Sequence, residues 1–161
     1  LTIDDYDILK NWSNSAEFSG SFSHVPPDGF EVKDFEILNR CNKEIITKIS
    51  SSKKQVHLIE LARVAYSDLI KDIKTNTHGN LLCFYLNANV NNCLQRNAIR
   101  KYIVKMPTKY VPEDIISNYY ANDDIERVTE NHNFIHVIDN NLNESKAVNA
   151  MIEVLGRYFT S

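Results

Sequence analysis

The chain is 161 residues long with a formal charge of −3. That length allows one domain with a substantial core, and the near-neutral charge gives no general electrostatic case for a nucleic-acid or membrane surface. Three cysteines, Cys41, Cys83 and Cys93, form an odd set without a CxxC pair, so neither a disulfide framework nor a zinc cluster is indicated and reduced thiols in a cytoplasmic protein are expected.

Leu1-Thr2-Ile3 reads as the end of a strand, followed by the acids Asp4 and Asp5. Acids at these positions and at Asp7 also stand where a signal peptide would need a basic and then an apolar segment. A short helix is expected over 6–12. The stretch 13–29 is rich in Ser, Gly and Pro, with Pro26-Pro27-Asp28-Gly29 as its turn signal, and reads as a surface loop or lid edge. From 32 to about 49, the apolar residues Phe35, Leu38, Ile45, Ile46 and Ile49 recur at helical spacing.

Val56-His57-Leu58-Ile59-Glu60 is an apolar run ending in a carboxylate, with Arg63 three residues on. It reads as a buried strand over 55–60 that delivers charge at its carboxyl end, where open α/β sheets place their ligands. A helix is expected over about 65–75. Leu81-Leu82-Cys83-Phe84-Tyr85-Leu86 then reads as another doubly covered strand. The helix expected over about 90–103 places Arg96 and Arg100 one turn apart, a spacing that lets both guanidinium forks grip one anion. A basic connector over 104–111 and a helix over 112–120, with Pro112 in its first turn, come next. The last strand is expected over 134–139 and the closing helix over 143–159. Strands alternating with helices predict an α/β fold: a parallel sheet with right-handed crossovers, flanked by helices.

Glu60 at a strand tip suits either a water-mediated Mg²⁺ contact or proton acceptance from an attacking hydroxyl; the bland alternative is an ion pair with Arg63. Asp4 and Asp5 suit Mg²⁺ or a substrate hydroxyl, or else a helix N-terminus. Arg96 and Arg100, with Lys101, Lys105 and Lys109, form the one dense basic region, read as phosphate-tracking cations or as a solvated helix face. The five histidines show no metal-ligand spacing, and Ser67 has no partner signature for nucleophilic hydrolysis. The four glycines form no GxxxxGK[ST] loop.

Taken together, these residues resemble the P-loop kinase family of nucleoside, nucleotide and small-molecule kinases, seen from just after the phosphate loop. Leu1-Thr2-Ile3-Asp4-Asp5-Tyr6 is similar to the family's second strand with its acidic tip. Ile59-Glu60-Leu61-Ala62-Arg63-Val64-Ala65-Tyr66-Ser67-Asp68 resembles the segment where deoxynucleoside kinases carry Glu-Arg-Ser and a following Tyr-Ser-Asp; here the Arg falls three residues after the Glu instead of beside it. Leu86-Asn87-Ala88 with Cys93-Leu94-Gln95-Arg96 and Arg100 looks like the strand, helix and lid that close over phosphates. Val111-Pro112-Glu113-Asp114 looks like the return from that lid, and Val137-Ile138-Asp139-Asn140 like the last strand, whose following loop lies against adenine.

The resemblance implies a three-layer α/β/α domain over 1–161 with a lid at about 96–112, its first strand and phosphate loop lying upstream of Leu1. It further implies an ATP- and Mg²⁺-dependent phosphotransferase acting on a small hydroxyl-bearing metabolite or nucleoside. Glu60, Arg96 and Arg100 would then be catalytic, Asp4, Asp5 and Arg63 substrate-binding, and Asp4 and Glu60 metal-side. The rival expectations are a catalytically inactive nucleotide-binding or interaction module of the same fold and, with little support, a single-strand nucleic-acid binder. No membrane partner is expected, and a homodimer stays open.

Overall fold

The computed structural model describes residues 1–25, 29–102, 111–141 and 144–160. It is a mixed α/β structure: strands β1 (Thr2–Asp4), β2 (Phe22–Val25), β3 (Gly29–Val32), β4 (Leu58–Glu60), β5 (Cys83–Asn87) and β6 (Ile135–Asp139), with helices α1 (Asp5–Ser13), α2 (Glu36–Ser51), α3 (Tyr66–Asn76), α4 (Val90–Tyr102), α5 (Ile125–Thr129) and α6 (Glu144–Thr160). No helix among the described residues is long and apolar enough to cross a membrane.

Parallel pairing is present as expected, but the described strands form three two-stranded ribbons rather than one sheet. β1 pairs parallel with β4, and β5 parallel with β6, while β2 and β3 form an antiparallel hairpin. Each parallel ribbon has its own apolar cluster. Around β1, helix α2 turns Ile37, Leu38, Cys41 and Ile45 inward at helical spacing against Ile3, Ile8, Leu9 and Phe22. Around β5 and β6, Ile70, Ile125, Val128 and Ile135 pack with Cys83, Tyr85 and Phe134. Helix α3 spans the two, sending Ile70 into the second cluster while its end accepts a hydrogen bond from Ser50 of α2 (Ser50 Oγ to Asn76 O, 3.2 Å).

Four elements depart from the sequence expectations; one is β5, expected as a doubly covered strand over 81–86, which starts at Cys83 and leaves Leu86 47% exposed. The stretch 13–29, expected as a loop, contains a 3₁₀ turn (Ala16–Ser21) and the β2–β3 hairpin. Its aromatic residues hold it down: Phe30 lies edge-on to Phe22 at 5.5 Å and stacked on Tyr6 at 5.3 Å, and Trp12 stacks on Phe18 at 4.9 Å. The turn residues 26–28 lie outside the described residues. β4 is not the doubly buried strand expected over 55–60. Only Ile59 packs on the core; Leu58 is 65% exposed and Val56 67%, because one face of the β1–β4 ribbon has no helix across it among the described residues. The helix expected over 112–120 is instead a π-helical turn (Ile115–Tyr119) and a 3₁₀ turn (Tyr120–Asn122), and α5 follows unanticipated.

Candidate functional site at the carboxyl ends of the parallel strands

In the β1–β4 ribbon, the parallel register aligns Asp4 with Glu60. Partners in a parallel register leave the ribbon on the same face, so both side chains start from one face where the strands end. Asp4 also accepts the Tyr6 amide at 2.9 Å, capping the first turn of α1. Its N-cap role and its place beside Glu60 therefore coexist. The Glu60 carboxylate is exposed and makes no hydrogen bond or ion pair among the described residues.

Arg63 is 4% exposed, the most deeply buried charged side chain described. The ion pair with Glu60 considered from sequence is not what forms. Arg63 pairs with Asp5, at the start of α1, because the loop 61–65 carries it back past the strand tip. Its Nε donates to Asn42 Oδ1 at 2.9 Å and its Nη1 to the Ala62 carbonyl at 2.7 Å. Asp5 accepts the Ala62 amide as well, at 3.4 Å. Burial pushes the Asp5 carboxyl above its ordinary value, and the Arg63 guanidinium opposes that rise. Arg63 Nη2 is buried and has no partner among the described residues. A buried donor left unpaired in this way is costly.

The loop 61–65 is tied from the start of α5. Asp124 Oδ1 accepts the Tyr66 amide at 2.6 Å, and the Asp124 amide donates to Val64 O at 2.9 Å. Its other oxygen takes the Ser67 amide at 3.2 Å, the Ser67 hydroxyl, and Arg127 Nη2 at 3.1 Å. Tyr66 in turn accepts the Arg63 amide on its hydroxyl at 3.2 Å and lies edge-on to Tyr85 at 5.9 Å. The Tyr85 hydroxyl donates to Asp123 at 2.7 Å. Burial and the adjacent Asp123 carboxylate push the Tyr85 phenol well above its usual range.

The arginine pair sits elsewhere in the fold. Arg96 donates to the Asn140 carbonyl at 2.6 Å, just past the end of β6, while Arg100 is exposed. The two forks are thus not joined on one group, and no contact among the described residues links either to Glu60. Between them on α4, Asn97 is 3% exposed and clamps Val111 on both sides: Nδ2 donates to Val111 O at 2.7 Å and Oδ1 accepts Val111 N at 3.0 Å. Of the lid expected at about 96–112, residues 103–110, with Lys105 and Lys109, lie outside the described residues.

Sequence reasoning missed Asn42, Asn97 and the Asp123–Asp124 pair as site-shaping groups. The signal available for the last was an Asp pair directly before Ile125, which marks a helix start but not which helix it serves. The cysteines are free, and burial pushes the Cys41 and Cys83 thiols up to about 11, which keeps them protonated and poor nucleophiles. Among the described residues no group of three or more His, Cys, Asp or Glu side chains could hold a metal ion. Against protein-family models, curated proteins and solved structures, the chain finds no match.

Proposed function

We propose that the chain forms the acceptor and lid side of an ATP-dependent phosphotransferase of the P-loop kinase type, acting on a small hydroxyl-bearing metabolite or nucleoside. The observation that carries this reading is the alignment of Asp4 and Glu60 at the ends of adjacent parallel strands, with the buried Arg63–Asp5 pair beside them. Carboxyl ends of parallel strands are where such sheets gather their chemistry, because helix N-termini and loop residues converge there. Glu60, exposed and without a hydrogen bond or ion pair among the described residues, would act either as the base for an acceptor hydroxyl or as a metal-side carboxylate. Arg63 is fixed by Asp5, Asn42 and the Ala62 carbonyl, and were the acceptor to reach its buried Nη2, that group would supply orientation rather than covalent chemistry.

The donor set also fits the implied cation. Magnesium alongside phosphates takes one or two carboxylates and keeps several waters, so Asp4 and Glu60 suffice without a third ligand. Bound there, the ion would neutralise charge on the transferring phosphoryl group. Arg96, held at the end of β6, and the exposed Arg100 would serve the phosphate side. In the arrangement the sequence resembles, the phosphate-loop lysine and hydroxyl are supplied from outside these residues.

The test is acceptor-dependent ADP formation by the full-length protein with Mg-ATP and a panel of nucleosides and hydroxyl metabolites. Glu60→Gln should lower turnover by about 10²–10⁴-fold with an unchanged melting curve. Nucleotide binding with no turnover on any acceptor would instead identify an inactive binding module. Turnover that survives Glu60→Gln while stability falls would make Glu60 a structural residue.

A further inference from the structure

Arg63 is held directly by Asp5 and Asn42, and the loop that carries it is gripped by a residue of neither β1 nor β4. We infer that Asp124 is a positioning residue for Arg63: it clamps the loop 61–65 from the start of α5 and so holds the guanidinium at the strand-tip acids.

The geometry is a two-sided grip on one residue of the loop. On one side of Ala65, the Asp124 amide donates to Val64 O at 2.9 Å; on the other, its carboxylate takes the Tyr66 amide at 2.6 Å. Fixing both sides removes the freedom of the loop to swing about Ala65. The grip passes to Arg63 by a single further contact, the Arg63 amide donating to the Tyr66 hydroxyl at 3.2 Å. Tyr66 cannot turn away easily, because its ring packs on Tyr85, which is itself held by Asp123 at 2.7 Å. Four donors on one carboxylate (the Tyr66 and Ser67 amides, the Ser67 hydroxyl and Arg127) exceed what capping the start of α3 requires. The surplus fixes the direction of the carboxylate and hence of the loop it grips.

The catalytic consequence rests on the phosphotransferase reading, whereas the positional claim does not, and the experiment separates them. The probe is the Arg63 Nε–H resonance of ¹⁵N-labelled full-length protein, assigned by its loss in Arg63→Lys. With its bond to Asn42 intact it should exchange slowly with solvent. Asp124→Ala should speed that exchange by about tenfold or more, while Glu126→Ala, at an exposed position of α5 outside the grip, should leave it unchanged. Asp124→Asn, which keeps an oxygen for Tyr66 but sets an amide against Ser67 and Arg127, should raise it by about threefold and serves if the alanine variant does not fold. Unchanged exchange in whichever of these variants folds would reduce Asp124 to a helix cap and overturn the inference.

Turnover supplies the second readout. The kcat losses of Asp124→Ala and Arg63→Ala should combine less than additively, since both remove one placed group. Additive losses would also overturn the inference. A wild-type protein without phosphotransferase activity would remove the functional reading and leave the exchange measurement to judge the position.

Discussion

Arg63 and Asp5 form a buried pair whose halves pull on each other's protonation. Burial alone would favour a neutral Asp5, and the guanidinium beside it is what favours the charge. Removing either partner leaves the other uncompensated in a poorly solvated place, a loss of about 3–5 kcal/mol in such pairs. Asp124 is a second acid with the opposite balance. Desolvation raises it, but the hydrogen bonds from Ser67, the Tyr66 amide and Arg127 outweigh that and hold it below the ordinary 3.8. Since the native state then ionises it more readily than the unfolded chain does, its contribution to stability is complete above the unfolded value. That contribution is lost as pH falls through the lower native value. Asp124→Asn should therefore lower Tm by about 3–10 °C at pH 7, and the gap to wild type should narrow as the pH is taken below the ordinary carboxylate value of 3.8. A gap that stays constant across that range, measured by circular dichroism melts, would mean that the ionised form is not what the hydrogen bonds hold.

Helix α4 shows how one side chain joins two segments. Its sequence is rich in Asn and Arg, and its surface pattern marks no strong apolar stripe, yet Asn97 is buried and satisfies both backbone groups of Val111. An Asn side chain is the right length to mimic a peptide group and pair with a backbone N–H and C=O together. Asn97→Ala should cost about 1–3 kcal/mol, because it leaves both groups of Val111 unpaired. Amide exchange at Val111 should rise more than at residues of α2, which share no contact with it. Equal protection at Val111 in the variant and wild type would show that some other group holds that strand of chain. The same local logic explains the hairpin hidden in the Ser/Gly-rich stretch. Phe22 and Phe30 alternate toward α1, and stacking on Tyr6 supplies the anchoring that composition alone conceals.

At the scale of the whole molecule, the two parallel ribbons sit on separate apolar clusters, and their joint runs through α3 and the Asp124 contacts. Each ribbon has unpaired strand edges among the described residues, and the β1–β4 ribbon also leaves Val56 and Leu58 exposed. Exposed apolar strands with open hydrogen-bonding edges favour pairing with further chain. Leu58→Lys should accordingly reduce self-association of this 161-residue chain, seen as a lower weight-average mass by sedimentation at micromolar concentration, while its melting temperature changes little. An unchanged mass would show that this face is not where copies meet.

Helix α2 with its inward Ile37, Leu38, Cys41 and Ile45, the parallel direction of the strands, and the acids at their carboxyl ends were all legible from the chain, because period and run length are local properties. The neighbouring of Asp4 and Glu60 came only from the register of β1 with β4. What no local pattern could decide was which charge would meet which. Glu60 and Arg63 lie three residues apart, but the backbone turn after β4 carries Arg63 to Asp5 and Asn42. The loop bearing Arg63 is likewise fastened by Asp124, which arrives from 57 or more residues further along the chain. Partner choice among polar groups depends on where separate elements come to rest, since a carboxylate's preference for any donor is nearly the same until desolvation and geometry select one.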